Sequence, residues 1–264
     1  MLIAQISDTH IGGEMDKNMP DGPDRIDVTK AFVAHIKSLD EKPDLILHTG
    51  DATHGGTEEL YAHVHQIFDG IGIPVYFSLG NRDQRENLVT CLSHFGKAEL
   101  HEGFLIYSVE DYPIRLIAMD TQNRENNKGA TCSVRLGVLQ KLLDEQPERK
   151  TALFMHHPPF EVTTSAYPFP FDDQVLAEAF LDTVAKNTQI VQMFCGHMHR
   201  DFQVKLGTCM ATCVPSLPPD NRLGDFPPDQ VRQPVYHLHR WNEDAGHFDT
   251  TLEVAPLETL KAAS

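Results

Sequence analysis

Leu2-Ile3-Ala4-Gln5-Ile6-Ser7-Asp8-Thr9-His10 begins as an apolar run of strand length and ends on an acid and a histidine two residues apart. The same grammar recurs four times. Leu45 to Leu47 leads to Gly50-Asp51, Val75 to Leu79 to Gly80-Asn81, Ala152 to Met155 to His156-His157, and Ile190 to Phe194 to Gly196-His197-Met198-His199. One strand end carrying an Asp or His means little. Five in succession, all with oxygen or imidazole donors, predict one sheet edge converging on a metal pair, because ligands of open α/β sheets bind outside the carboxyl ends of the strands.

Between these strand ends the apolar period changes. Ile26, Phe32, Val33, Ile36 and Leu39 recur at helical spacing, and Lys42-Pro43 ends the run. A second helix is predicted from Thr57 to Phe68, with Thr57 as cap and Glu58 and Glu59 near the positive end of its dipole. A third is predicted from about Gln84 to His94. Strand, helix, strand, helix, strand implies a parallel sheet with right-handed crossovers. Leu105 to Ser108 and Arg115 to Met119 are predicted strands, 121–132 a polar surface loop, and Ser133 to Glu145 and Asp173 to Lys186 helices. From about Asp201 the chain turns to short β-like stretches. The expectation is an α/β protein of two packed sheets flanked by helices, one domain over 1–264. Its C-terminal part, about 201–264, is expected to complete the second sheet and to contribute a substrate or oligomer loop.

Composition narrows the function. The 264 residues can bury a large core, and the 41% hydrophobic residues fall in strand-length runs too short to cross a bilayer. With no basic and apolar leader ahead of the first strand, a cytoplasmic location is expected. The five cysteines lack Cys-x-x-Cys spacing, which argues against disulfide staples and a thiolate zinc site. A formal net charge of -16 repels nucleic acid polymers and anionic membranes, so an anionic substrate would need bound metal or a few arginines.

Asp8 with His10, and His197 with His199, are spaced i, i+2, so an extended local backbone can aim both at one ion. Asp51 follows a glycine that permits close backbone approach, and its two oxygens can bridge two ions. Asn81 adds a neutral amide oxygen, which limits negative charge where an anionic substrate would enter. Imidazole, carboxylate and amide together suit Mn, Fe, Co or Zn, whereas calcium would want more oxygen. Other histidines carry duller expectations: His48 as a hydrogen-bonded core residue, and His237 and His239 as surface residues of one strand.

In this order, D-x-H, G-D, G-N-x-D, H-H-P-P and G-H-x-H resemble the calcineurin-like metallophosphoesterase superfamily. Ile6 to His10, Met155 to Pro159 and Phe194 to His199 look most like the class III cyclic nucleotide phosphodiesterases and the bacterial glycerophosphodiesterases. The resemblance implies a four-layer α/β/β/α sandwich and two divalent or mixed-valence first-row ions. It gives one ion Asp8, His10, Asp51 and His199, and the other Asp51, Asn81, His156 and His197, with His157 behind the ligands. The implied activity is hydrolysis of small phosphodiesters such as 3',5'-cyclic nucleotides by metal-activated hydroxide. Glycerophosphodiester or broad phosphomonoester and diester hydrolysis are the alternatives, and a non-catalytic scaffold is a remote one. A homo-oligomer is implied by the resemblance alone.

One departure stands out. Where most relatives carry Gly-Asn-His, this chain has Gly80-Asn81-Arg82. Arginine can contact a phosphate but cannot protonate a leaving oxygen, because its guanidinium stays charged. Arg222 stands near another position where a glycerophosphodiesterase histidine is found. Arg82, with Arg222, is therefore expected to clamp the phosphate. Pro168, Phe169, Pro170 and Phe171 could wall a nucleobase or could simply pack.

Overall fold

The computed structural model describes residues 1–14 and 22–259. Its first half runs β1 (Leu2–Ile6), α1 (Arg25–Ser38), β2 (Leu45–His48), α2 (Glu58–Phe68), β3 (Val75–Phe77), α3 (Arg85–Leu92), β4 (Leu100–His101), β5 (Phe104–Leu105), β6 (Tyr107–Val109) and β7 (Arg115–Met119). Then follow α4 (Ser133–Glu145), β8 (Thr151–Met155), α5 (Gln174–Lys186), β9 (Ile190–Cys195), β10 (Phe202–Leu206), β11 (Cys209–Cys213), β12 (Val235–Asn242) and β13 (His247–Val254). Helix starts follow their caps: the side chains of Asp24, Thr57 and Asp173 accept from the first-turn N–H groups of α1, α2 and α5.

Two sheets form, in the orders β13-β12-β1-β2-β3 and β10-β11-β9-β8-β7-β6, with β4 and β5 as a separate hairpin. Alternation along the strands builds the layers. In β7 and β8, Leu116, Ala118, Ala152 and Phe154 join the inter-sheet core, while Ile117, Met119, Leu153 and Met155 pack with Leu139, Leu143, Phe180 and Val184 of α4 and α5. Helices α1 and α2 cover the first sheet through Phe32, Ile36, Val64 and Phe68. The result is the helix, sheet, sheet, helix sandwich.

Four expectations need correction. The five strand ends do not lie on one sheet edge: β1, β2 and β3 belong to the first sheet, β8 and β9 to the second. The C-terminal part divides as well. Strands β10 and β11 extend the second sheet, whereas β12 pairs antiparallel with β1 and carries β13 into the first; residues 260–264 lie outside the described residues. Because β12 is an internal strand, His237 and His239 are fully buried instead of exposed. His239 bonds Gln5 Oε1 at 2.9 Å and Thr250 Oγ1 at 2.8 Å, which satisfies both ring nitrogens. The strand expected over Leu105 to Ser108 also breaks at Ile106, whose N–H turns back to Phe104 O at 2.8 Å.

Candidate metal centre

The loops after β1, β2, β3, β8 and β9 meet where the two sheets' carboxyl ends face each other. Asp8 N–H donates to Gly50 O and His10 N–H to Asp51 O, both at 3.0 Å, while Gly196 N–H donates to His156 O at 3.0 Å. The crossing between sheets leaves no room for a side chain at Gly196. A Cβ there would overlap Ser7 Oγ and lie 2.9 Å from Thr49 O. Backbone strain concentrates here as well. Of six described non-glycine residues with positive φ, five are expected ligands: Asp8 (57°), His10 (45°), Asp51 (52°), His197 (65°) and His199 (53°). Each such residue costs about 1–2 kcal/mol, comparable with the roughly 1.5–3 kcal/mol gained by burying one Phe. A few core side chains such as Phe154 and Phe194 therefore offset the strain.

Backbone groups aim the ligand atoms. His156 Nδ1 lies 2.8 Å from Thr49 O and His199 Nδ1 2.7 Å from Asn221 O. A carbonyl can only accept, so both rings carry their proton on Nδ1 and turn the Nε2 lone pair inward. Asp8 Oδ2 accepts from His197 N–H at 3.0 Å, and Asp51 Oδ1 from Arg82 N–H at 2.7 Å. That leaves one oxygen of each carboxylate facing the centre. Asp8 Oδ1 is 3.0 Å from His199 Nε2 and 3.6 Å from His10 Nε2. Asp51 Oδ2 lies between the groups, 3.7 Å from His10 Nε2 and 3.5 Å from His156 Nε2. Asn81 Oδ1 is 3.2 Å from His156 Nε2, and the His197 ring centroid is 5.1 Å from that of His156.

Three sets of donor atoms, each mutually within 4.8 Å, result: Asp8, His10 and His199; Asp8, Asp51 and His156; and His156, His157 and His197. Both ring nitrogens of His10 are buried without a hydrogen bond among the described residues. Imidazole and carboxylate donors grouped this closely fit metal ions, and this donor set suits first-row ones.

The charges agree. Burial would raise the Asp8 carboxyl, but His199 and His156 outweigh it and hold it well below its ordinary value. Asp51 likewise falls to about 2, its burial overcome by His156. His156 rises to about 9 against its own burial because Asp51 and Asp8 face it. His197 drops to about 3 through burial and repulsion from His156. Without cations, the cluster traps a proton on His156.

The remaining expected residues divide. Arg82 is exposed, with no side-chain hydrogen bond or ion pair among the described residues, and its charge helps depress the neighbouring His54. The His157 ring stands 4.4 Å from His197, its Nδ1 is 3.0 Å from Thr121 Oγ1, and its Nε2 is buried without a hydrogen bond. Arg222 is committed elsewhere: Nη1 and Nη2 donate to Gln230 O and Gln233 O at 3.1 and 2.5 Å, and the guanidinium lies 4.7 Å from the Phe226 ring centroid. It staples its own loop. Asp83 is the acid of the G-N-x-D motif, and its role is visible only in the fold. Its carboxylate accepts from the N–H groups of Ala52, Thr53 and Gly80 and from Tyr61 OH, locking the Gly50-Asp51 loop to the Gly80-Asn81 loop.

A cavity of about 450 Å³ opens beside Asn81. It is lined only by polar side chains, among them Gln84, Gln122, Asn123, Asn126 and Asn127. Phe169, Pro170 and Phe171 line a different cavity of about 220 Å³, with Phe160 and Leu181.

The family model for calcineurin-like phosphoesterases matches residues 1–201. The chain is 30% identical to a probable glycerophosphodiester phosphodiesterase, GpdQ, of Arcobacter nitrofigilis, over 98% of this chain and 95% of the relative. It is 24% identical to the 3',5'-cyclic adenosine monophosphate phosphodiesterase CpdA of Pseudomonas aeruginosa, over 95% of this chain and 88% of that one. A dimetal phosphatase from Danio rerio shares the fold with a TM-score of 0.72 at 12% identity, over 97% of this chain and 96% of that chain. The chain belongs to the calcineurin-like phosphoesterase family.

Proposed function

We propose that this metal-dependent phosphodiester hydrolase acts on small diesters with polar alcohol groups, glycerophosphodiesters foremost and cyclic nucleotides second. The observation that carries this order is the all-polar cavity beside Asn81, whose amides suit hydroxyl or ammonium groups better than an apolar base. The relative matched over 98% of the chain bears a glycerophosphodiesterase name.

In this reading Asp8, His10, Asp51 and His199 hold one ion, and Asp51, Asn81, His156 and His197 the other. Asp51, whose Oδ2 is not committed to Arg82 N–H and lies near both His10 and His156, would serve both ions. When bound, such a pair neutralises charge on phosphate oxygens and acidifies water near neutral pH. Arg82, adjacent to Asn81 and unpaired among the described residues, neutralises the non-bridging oxygens and supplies no proton. The amides of the cavity orient the alcohol group.

The test is a substrate panel on metal-reconstituted protein: glycerophosphoethanolamine, cyclic AMP, bis(p-nitrophenyl) phosphate and a monoester. The glycerophosphodiester should exceed cyclic AMP at least about tenfold in kcat/KM, the worth of about 1.4 kcal/mol of transition-state binding. A preference for cyclic AMP would overturn the substrate order. Turnover that survives thorough chelation would overturn the metal chemistry.

A further inference from the structure

Arg25, at the start of α1, is 5% exposed, and its partner Asp220 is 7% exposed. Charges this deep are rarely found unless paired, and such a pair is weak support for stability because desolvation consumes most of its attraction. Its position is more informative. Nε and Nη2 donate to Asp220 Oδ2 at 3.2 and 2.9 Å, and Nη2 also to Asn221 Oδ1 at 3.0 Å. Nη1 reaches His10 O at 3.4 Å. The carbonyl of the same Asn221 takes the Nδ1 proton of His199 at 2.7 Å. One guanidinium, 195 positions from Asp220 in the sequence, thus joins the main chain of His10 to the turn that orients His199. Gly13 completes the arrangement: its N–H shares the His10 carbonyl at 2.9 Å, and a Cβ there would overlap Arg25 Nη1.

We propose that Arg25 is a positioning residue for one ion of the pair, the one held by Asp8, His10, Asp51 and His199. His10 and His199 both sit in left-handed backbone, which needs an external hold to persist. The other ion's histidine is set independently: His156 rests on Thr49 O, which Arg25 does not touch. The strut therefore acts on one ion and spares the other. This inference rests on the proposed division of the ligands between two ions.

The experiment is Mn(II) titration of the metal-free full chain, counting free Mn(II) by EPR, for wild type, Arg25→Ala, Arg25→Lys and Asp220→Asn. Wild type should bind two ions. Arg25→Ala should keep one at wild-type affinity and bind the second about 10–100-fold more weakly, the usual cost of losing a group that orients a ligand. Arg25→Lys should recover part of the loss, since lysine restores the charge without the fork. If Arg25→Ala does not fold, Asp220→Asn and Arg25→Lys must show the same one-ion loss at smaller amplitude. Two ions bound with unchanged affinity, or both weakened equally, would overturn the proposal alone. A wild type that binds a single ion would overturn the paired-metal reading and the proposal with it.

Discussion

Arg82 and Asp83 are neighbours with opposite duties. The Arg82 side chain is exposed and uncommitted among the described residues, so removing it should leave the fold intact. With a hydrogen bond to a charged group worth roughly 1.5–3 kcal/mol, discounted for exposure, Arg82→Ala should lower kcat/KM on a diester about tenfold. A change within twofold would sink the phosphate clamp. Asp83 is buried under five donors, and burial with the nearby Asp51 charge raises its carboxyl. Asp83→Ala would strand buried N–H groups at about 1–3 kcal/mol each. It should cost about 2–5 kcal/mol in urea unfolding of the metal-free protein. A loss below 1 kcal/mol would mean the two loops hold together without it.

At the scale of elements, strands and capped helices were legible because local pattern governs them. The Thr57 cap and the continuous apolar run of β8 are satisfied wherever the chain goes. Partners across long sequence separations were not legible. Nothing in Val235 to His239 announces that β12 adds to β1, yet that pairing buries both histidines. The seven expected ligand positions were legible as strand ends because parallel strands put their carboxyl ends on one side. Which sheet each end belongs to was hidden, since two stacked sheets whose carboxyl ends flank one site write the same motifs as one. Arg25 left no signal: a lone arginine at a helix start looks solvated. The contacts of Arg222 were not legible either, because position near a motif does not say where a guanidinium finds carbonyls. Its three contacts predict that Arg222→Ala loosens the loop to Gln233, seen as faster limited proteolysis there. Cleavage at wild-type rate would mean the loop is held by other contacts.

At the scale of the molecule, the metal centre lies between two sheets that also meet through apolar packing and buried hydrogen bonds such as Gln5 Nε2 to Cys195 O and Tyr107 OH to Phe77 O, so ion binding and global stability are linked. In the metal-free fold His156 holds its proton up to about 9, against an ordinary value of 6.5. A raised value means that the proton stabilises the metal-free fold fully below 6.5, and that this contribution is lost as pH climbs through 9. A cation needs the same lone pair, so binding must expel the proton throughout that window. Two consequences follow with the same sign. Calorimetry at pH 7 in buffers of different ionisation enthalpy should show about one proton released from this ring. The rise in Tm on adding a fixed excess of Zn(II) should grow from pH 6 to 8.5, because apparent affinity gains up to tenfold per pH unit. A metal-induced rise in Tm independent of pH, with no proton released at pH 7, would show that His156 is not where the fold keeps a proton in place of the ion.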